Sequence, residues 1–373
     1  MADRPFFDRQ TAASATKARI VSAYFWAWAQ IITGKKAKQR AIGYVDLFAG
    51  PGVYGGGQKS TPILILEAAI RDADIGDKLH VFLNDKNPEY AASLRKAVAE
   101  LPGIEKLAHK PEITNAEVTE KAIDWLVSKW PYPSLVFLDP WGYKGLTLRL
   151  IDAALQRKFS DVIFFFNFNR VNAAIMNAFM EEHVEALFTP ARLEQLRVEV
   201  EGKSPEVREQ IVMRALQDEV THGGQRHWLD FRFTSEESNK TSHYIILVSK
   251  NPTGLKPMKD IMAKASSASE DGVASFAFAP KAPQASPQLD MFKKTPTDTL
   301  AEELLRHFSG QTLAVKDVFY RHHENTKYRL KNYKDAILRL ESAGRVACNP
   351  PAGERPPRHG EPTLADDVRV TFP

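Results

Sequence analysis

The spacing of apolar and polar positions changes several times along the chain, and each change predicts an element. Residues 14–32 carry Ile20, Tyr24, Trp28 and Ile31 at helical spacing, with Val21, Phe25 and Ile32 widening the face. That predicts a helix packed on a larger body. Short apolar runs then alternate with helical patterns. Strands are predicted at 44–48, 79–83, near 106–109, at 135–138 and at 161–166, with helices at 62–71, 88–100, 117–129 and 147–157 between them. Strand–helix alternation of this kind predicts a parallel α/β sheet. Asp161–Phe166, apolar almost throughout, suits a strand covered on both faces.

The alternation then pauses. Residues 170–222 are more polar and helical in pattern, which predicts an insertion able to cover or shape a substrate site. Two alternating strands follow, at 228–233 and 243–248, joined by a polar loop. From 265 to 297 the composition shifts to Ala, Ser and Pro, the mark of a linker without stable structure. Beyond it come helices at 299–308, 315–321 and 328–343, then a hairpin toward 368–372, the element order of a winged helix. The expected organisation is an α/β domain over 1–264, a flexible linker over 265–297 and a winged-helix-like domain over 298–373.

Candidate chemistry collects at the predicted strand ends. Asp46 closes the first strand, and Phe48, Gly50 and Gly52 follow before a helix opens at Ser60-Thr61-Pro62. A strand, a glycine turn and a helix N-terminus let backbone approach a polar ligand closely. The same pattern also serves a tight structural turn. Gly50, Gly52 and Gly55 approach the dinucleotide fingerprint without a phosphate-binding basic residue. No P-loop motif is present, which argues against a nucleoside triphosphate. An acid and G-x-G after a first strand resemble motif I of Rossmann-like methyltransferases, which bind S-adenosylmethionine. Asp85, after the second strand, is placed to accept ribose hydroxyls, although acids at such positions also cap helices.

Asp139-Pro140-Trp141-Gly142, after the fourth strand, resembles the tetrad of methyltransferases that act on exocyclic amines of bases. In that tetrad an acid and a carbonyl accept the amine hydrogens while an aromatic ring stacks on the base. Trp141 stands at the third position rather than the fourth, and Tyr143 can substitute. The alternative for Asp139 is a turn-capping acid. A cytosine C5 mechanism needs a cysteine nucleophile, and Cys348 lies in the C-terminal module. The histidines show no metal-ligand spacing, so no metal is expected.

Three stretches together, 44–54, 138–145 and 244–254, with the aromatic helix of residues 17–32 before them, look like the three-Cys-motif partner protein family. That resemblance implies a methyltransferase-like protein working beside a three-cysteine, iron–sulfur-type partner. Gln288-Leu-Asp-Met-Phe292 is similar to the pentapeptide by which bacterial proteins dock on the DNA sliding clamp. Packing of those apolar residues on the chain itself is the alternative.

Composition sharpens the partner question. The 373 residues carry a net charge of +4, and residues 306–358 hold eleven Lys and Arg against five Asp and Glu. Lys331 and Lys334, on the predicted third helix of the winged-helix module, are the candidate nucleic-acid contacts. A solvated basic face on an interaction module is the other reading. A single cysteine and the lack of a long apolar run point to a reducing, cytoplasmic setting without a membrane span. The expected function is S-adenosylmethionine-dependent methyl transfer to nucleic acid. The alternative is a catalytically silent cofactor-binding scaffold.

Overall fold

The computed structural model describes residues 11–140, 145–175, 186–235, 240–280, 294–357 and 362–373. The chain divides into two compact units, Met1–Ile261 and Met262–Pro373.

The first unit is built on a sheet. Its strands are β1 Ile42–Asp46, β2 Leu79–Asn84, β3 Glu112–Thr114, β4 Ser134–Leu138, β5 Asp161–Phe166, β6 His227–Thr234 and β7 Thr241–Ser249. They lie in the order β6-β7-β5-β4-β1-β2-β3. β1 to β5 run parallel, whereas β7 is antiparallel to both β5 and β6. This is the arrangement expected of a methyltransferase sheet, a parallel run closed by an antiparallel hairpin. Strand order reverses between β1 and β4, so their carboxyl ends flank the crevice where open α/β sheets take ligands.

Helix α1, Ala12–Thr33, presents Ile20, Val21, Tyr24, Phe25, Trp28 and Ile32 as a buried face. Tyr24 donates to Asp161 Oδ2 at 2.7 Å and the Trp28 indole donates to the Phe159 carbonyl at 2.9 Å, which ties α1 to the start of β5. Ile31, expected on the buried face, is exposed. Helices α2 Thr61–Arg71, α3 Ala73–Gly76, α4 Pro88–Ala99, α5 Glu120–Ser128 and α6 Leu148–Ala154 connect the parallel strands.

The strand expected near 106–109 is instead a loop that follows a short 3-10 turn, Ile104–Lys106; β3 comes three residues later. β3 is a three-residue edge strand with Glu112 exposed, so it lacks the apolar alternation that marks a strand in sequence.

The insertion is helical where described: α7 Phe168–Ile175, α8 Pro190–Val200 and α9 Pro205–Thr221. Leu193, Leu196, Val212 and Leu216 join one core with Val136 and Phe164 of the sheet. Burial of these side chains makes the insertion part of the domain's core. Helix α10, Leu255–Ala265, leads into the second unit.

The second unit corrects the expectation of an unstructured linker at residues 265–280; residues 281–293 of that stretch lie outside the described residues. The strands β8 Ser269–Glu270 and β9 Val273–Ala274 pair antiparallel, β10 covers Ala277–Phe278, and Phe276 is buried. A turn at Asp271-Gly272, both with positive φ, closes the hairpin. Helices α11 Pro296–His307, α12 Val315–His322 and α13 Leu330–Ser342 follow, with β11 Thr312–Ala314, β12 Ala347–Asn349 and β13 Arg369–Thr371. The last three form a small antiparallel sheet in the order β11-β13-β12. Leu300, Leu304, Phe319, Tyr333, Ile337 and Val370 make a separate core, as a winged helix requires.

Candidate functional site

Three acids converge at the carboxyl ends of β2, β1 and β4. Asp46 pairs in register with Leu83 on one side and Phe137 on the other, so Asp85 and Asp139 each stand two residues past a neighbour of Asp46. Their surroundings give them different work.

Asp46 is 1% exposed. It accepts from the Phe48 N–H at 3.0 Å and from the Tyr44 hydroxyl at 3.1 Å. Burial, with the fields of Asp139 and Asp85, pushes its carboxyl up to about 8 despite those two bonds. The geometry makes Asp46 an internal brace for the turn after β1. The cofactor contact expected of Asp46 meets an almost fully enclosed carboxyl, whereas Asp85 is half-buried.

Asp85 is half-buried and keeps acceptor capacity. Its Oδ2 accepts the Gly50 N–H at 2.9 Å and its Oδ1 accepts the Asn87 N–H at 2.8 Å. Each carboxylate oxygen has a second lone pair, so two acceptor directions remain. Asn84, buried beside it, donates to the Leu47 and Ala116 carbonyls at 3.0 and 2.9 Å and accepts from Thr114 Oγ1 at 2.8 Å. One amide thus locks the carboxyl ends of β1, β2 and β3 together.

The two turn glycines answer different demands. Gly50 has φ +66°, and a side chain there would meet nothing within 4 Å. Gly52, at φ +83°, would carry a Cβ 3.1 Å from both Ala97 and Leu94 of α4. Open space at Gly50 lets a ligand reach the backbone beside Asp85; Gly52 lets α4 close on the turn. Phe48 is held by Gly145, whose added Cβ would fall 3.2 Å from the ring. A half-buried acid with free lone pairs next to bare backbone is an acceptor arrangement that fits the hydroxyls of a ribose. On that ground Asp85 and Gly50 fit an adenosyl cofactor.

Asp139 is 22% exposed in its side chain and forms an ion pair with Lys17 of α1 through Oδ2; Pro140 after it is buried. Trp141 and Tyr143, expected at the substrate, lie outside the described residues, as does the clamp-like segment 288–292. The Lys17 ammonium also stands 4.9 Å from the Phe165 ring centroid. Phe165 lies 4.7 Å from His243, which stacks on Phe233 at 4.5 Å. Enclosure and then the Lys17 charge push the His243 imidazole down to about 3, so it is neutral. Tyr54 lies in the field of the same acids. Burial and the fields of Asp139 and Asp46 raise its phenol to about 12, leaving it a proton donor. Asn84, Phe165 and His243 carry no local motif in sequence, and the partners of Lys17 are brought to it by the fold.

In the second unit, Lys331 is exposed at the start of α13, whereas Lys334 is paired with Asp366 at 2.6 Å. Arg339 binds Asp271 at 2.6 Å and Asp298 at 2.9 Å, holding the β8–β9 turn to α13. Asn332 adds a bond to the Gly272 carbonyl at 3.0 Å. Lys334, expected on a nucleic-acid face, is therefore committed to the unit's own structure, as is Arg339. Among the described residues, no group of three or more His, Cys, Asp or Glu could hold a metal, and no helix is long and apolar enough to cross a membrane.

The first unit has the fold of a Rossmann-like methyltransferase, and the strand order alone carries that conclusion. A family model described as a GMT-like wHTH domain matches residues 267–353. No curated protein matches the chain. Among solved structures, the chain is similar to an O-methyltransferase from Bacillus cereus in complex with SAH, at 12% identity and a TM-score of 0.37, covering 66% of this chain and 84% of that one. Cofactor-bound Rv0187 from MTB is similar at 12% identity and a TM-score of 0.35, covering 65% and 84%. The methyltransferase domain of bacterial CtHen1-C is similar at 10% identity and a TM-score of 0.30, covering 62% and 98%.

Proposed function

We propose that this chain is an S-adenosylmethionine-dependent methyltransferase acting on nucleic acid. The observation that carries the reading is the meeting of Asp85, the bare backbone at Gly50 and the acid Asp139 at the switch point of the sheet. Asp85 and Gly50 would hold the adenosyl ribose, with Phe48 beside them; Asp46 would keep the turn in shape. When bound, the cofactor supplies an electrophilic methyl group. Asp139, with Lys17, is then the pair that receives and orients the acceptor. The winged-helix unit would hold the polymer, with Lys331 its available cation on α13. The resemblance to three-Cys-motif partner proteins supports an iron–sulfur protein as a working partner. The segment 288–292 supports a sliding clamp as a second one, in the reducing cytoplasm that a single cysteine suits.

The test has two readouts. Calorimetry should show S-adenosylhomocysteine binding at one site per chain. Labelled methyl should pass to mixed DNA and RNA, with or without a cell extract supplying the partner. Cofactor binding with no label under either condition favours the scaffold. No binding at all removes the cofactor site.

A further inference from the structure

The sequence points to an exocyclic amine as acceptor, and Lys17 argues against it. An amine on a base presents N–H donors and a lone pair delocalised into the ring, so a site for it needs acceptors. Here Oδ2 of Asp139 already holds the Lys17 ammonium, which has only donors to offer. The pair is not sealed: the Lys17 and Asp139 side chains are 15% and 22% exposed. Oδ1 of Asp139 carries no hydrogen bond among the described residues. The Phe165 ring, 4.9 Å from the ammonium, and the neutral His243 beyond it add no charge beside the pair.

A hydroxyl complements such a pair. Its O–H can donate to Oδ1 of Asp139 while its oxygen accepts from the Lys17 ammonium. Attack by oxygen builds negative charge until the proton leaves, and a fixed cation beside that oxygen stabilises the charge where it develops. We propose that Lys17 and Asp139 take an aliphatic hydroxyl as methyl acceptor. Within a nucleic acid chain that hydroxyl is the ribose 2′-OH, which makes the substrate RNA. The inference rests on the methyltransferase reading above. In the transfer, the hydroxyl proton passes to Asp139 and on to water. The oxygen lone pair forms the bond to the methyl carbon. The methyl–sulfur bond breaks with its electron pair left on sulfur, so S-adenosylmethionine departs as S-adenosylhomocysteine and the ammonium is unchanged.

The experiment uses the full chain in two arms. In the first, without cofactor, fluorescence anisotropy compares one mixed-sequence 20-nucleotide RNA with the same sequence as DNA. The wild type should prefer RNA about tenfold, the discrimination expected from one or two hydrogen bonds to the 2′-OH. Lys17→Met should bring the two affinities to within about twofold, a loss of that same bond, and Lys17→Arg should retain the preference. S-adenosylhomocysteine affinity should stay unchanged in both variants, because Asp85 and Gly50 lie on other strand ends. In the second arm, methyl-labelled total RNA is digested to nucleosides and the base is separated from the sugar. Label in the sugar, with DNA unlabelled, supports the proposal. Label in the base overturns it and leaves the methyltransferase reading standing. Equal wild-type affinity for RNA and DNA also overturns it. A protein that binds S-adenosylhomocysteine but labels no nucleic acid loses both readings.

Discussion

The backbone N–H of Gly50 donates to Oδ2 of Asp85 at 2.9 Å, which ties the turn after β1 to the residue after β2. The bond fixes the turn and leaves the carboxylate lone pairs for a ligand. The loop that must yield to a cofactor is thus shaped by the side chain that would grip it.

Asp85→Ala should therefore act twice. It removes the ribose acceptor and releases the Gly50 N–H. We expect S-adenosylhomocysteine to bind about 1–3 kcal/mol more weakly, the loss typical of charge-assisted hydrogen bonds. Calorimetry reads this directly, and wild-type affinity in the variant would remove the ribose assignment.

Gly50→Ala and Gly52→Ala should separate binding from stability. Both positions have positive φ, which costs a side-chain-bearing residue about 1–2 kcal/mol. At Gly52 the new methyl also meets Leu94 and Ala97, so this variant should melt lower. At Gly50 the methyl enters open space, so the larger effect should fall on cofactor affinity. Thermal melts and calorimetry on both variants decide it.

The brace at Asp46 predicts a pH dependence. Its carboxyl is raised from 3.8 to about 8 in the folded protein, chiefly by burial. Between those values the folded state holds a proton that the unfolded chain has lost, so stability falls as pH rises through the window. Asp46→Asn removes this group's share of the loss. Denaturant midpoints between pH 5 and 8 should decline more steeply in the wild type than in the variant. Parallel slopes would place the proton elsewhere.

In the second unit, Arg339 and Asp271 should couple. Burial opposes the charge on Asp271, but bonds from Arg339, Thr295 and Thr297 bring its carboxyl down to about 2. The contribution is present above about pH 4 and is lost as pH falls toward 2. With Arg339 43% exposed, screening reduces the coupling to about 0.5–1 kcal/mol. A double-mutant cycle with Arg339→Ala and Asp271→Ala measures it at neutral pH.

Nucleic-acid binding should distinguish two lysines of α13. Lys331 is exposed, and Lys331→Glu should lower the salt slope of binding by about one phosphate contact. Lys334 is engaged by Asp366, so Lys334→Glu should show itself first as a drop in melting temperature. Binding by the full chain that is independent of salt would favour a protein–protein role for this unit.

How much of this was legible in the sequence varies by element, and the reasons are physical. The buried strand Asp161–Phe166 has the boundaries expected of it, because a strand covered on both faces is apolar at nearly every position. The turn at Gly50 and Gly52 was visible because positive φ selects glycine, and the order of acids after β1, β2 and β4 followed from strand–helix alternation. β3 is not legible in sequence because three edge residues impose no pattern. The β8–β9 hairpin was hidden in a stretch whose Ala, Ser and Pro content resembles a linker; its order comes from bonds to Arg339 and Asn332, far along the chain.

The division is sharpest at the site. Local spacing determined that an acid ends or follows each of three parallel strands, since the chain must turn there and the turn is written in adjacent residues. Which acid faces inward was decided only by packing, which enclosed Asp46 and left Asp85 half-buried. The partner of Asp139 was decided the same way. Lys17 lies 122 residues away on a helix whose aromatic face is legible, but its ion pair forms only because that face docks on the sheet. Periodicity reports which side of a helix is buried; what a charged residue at its edge will reach depends on the surface it lands on.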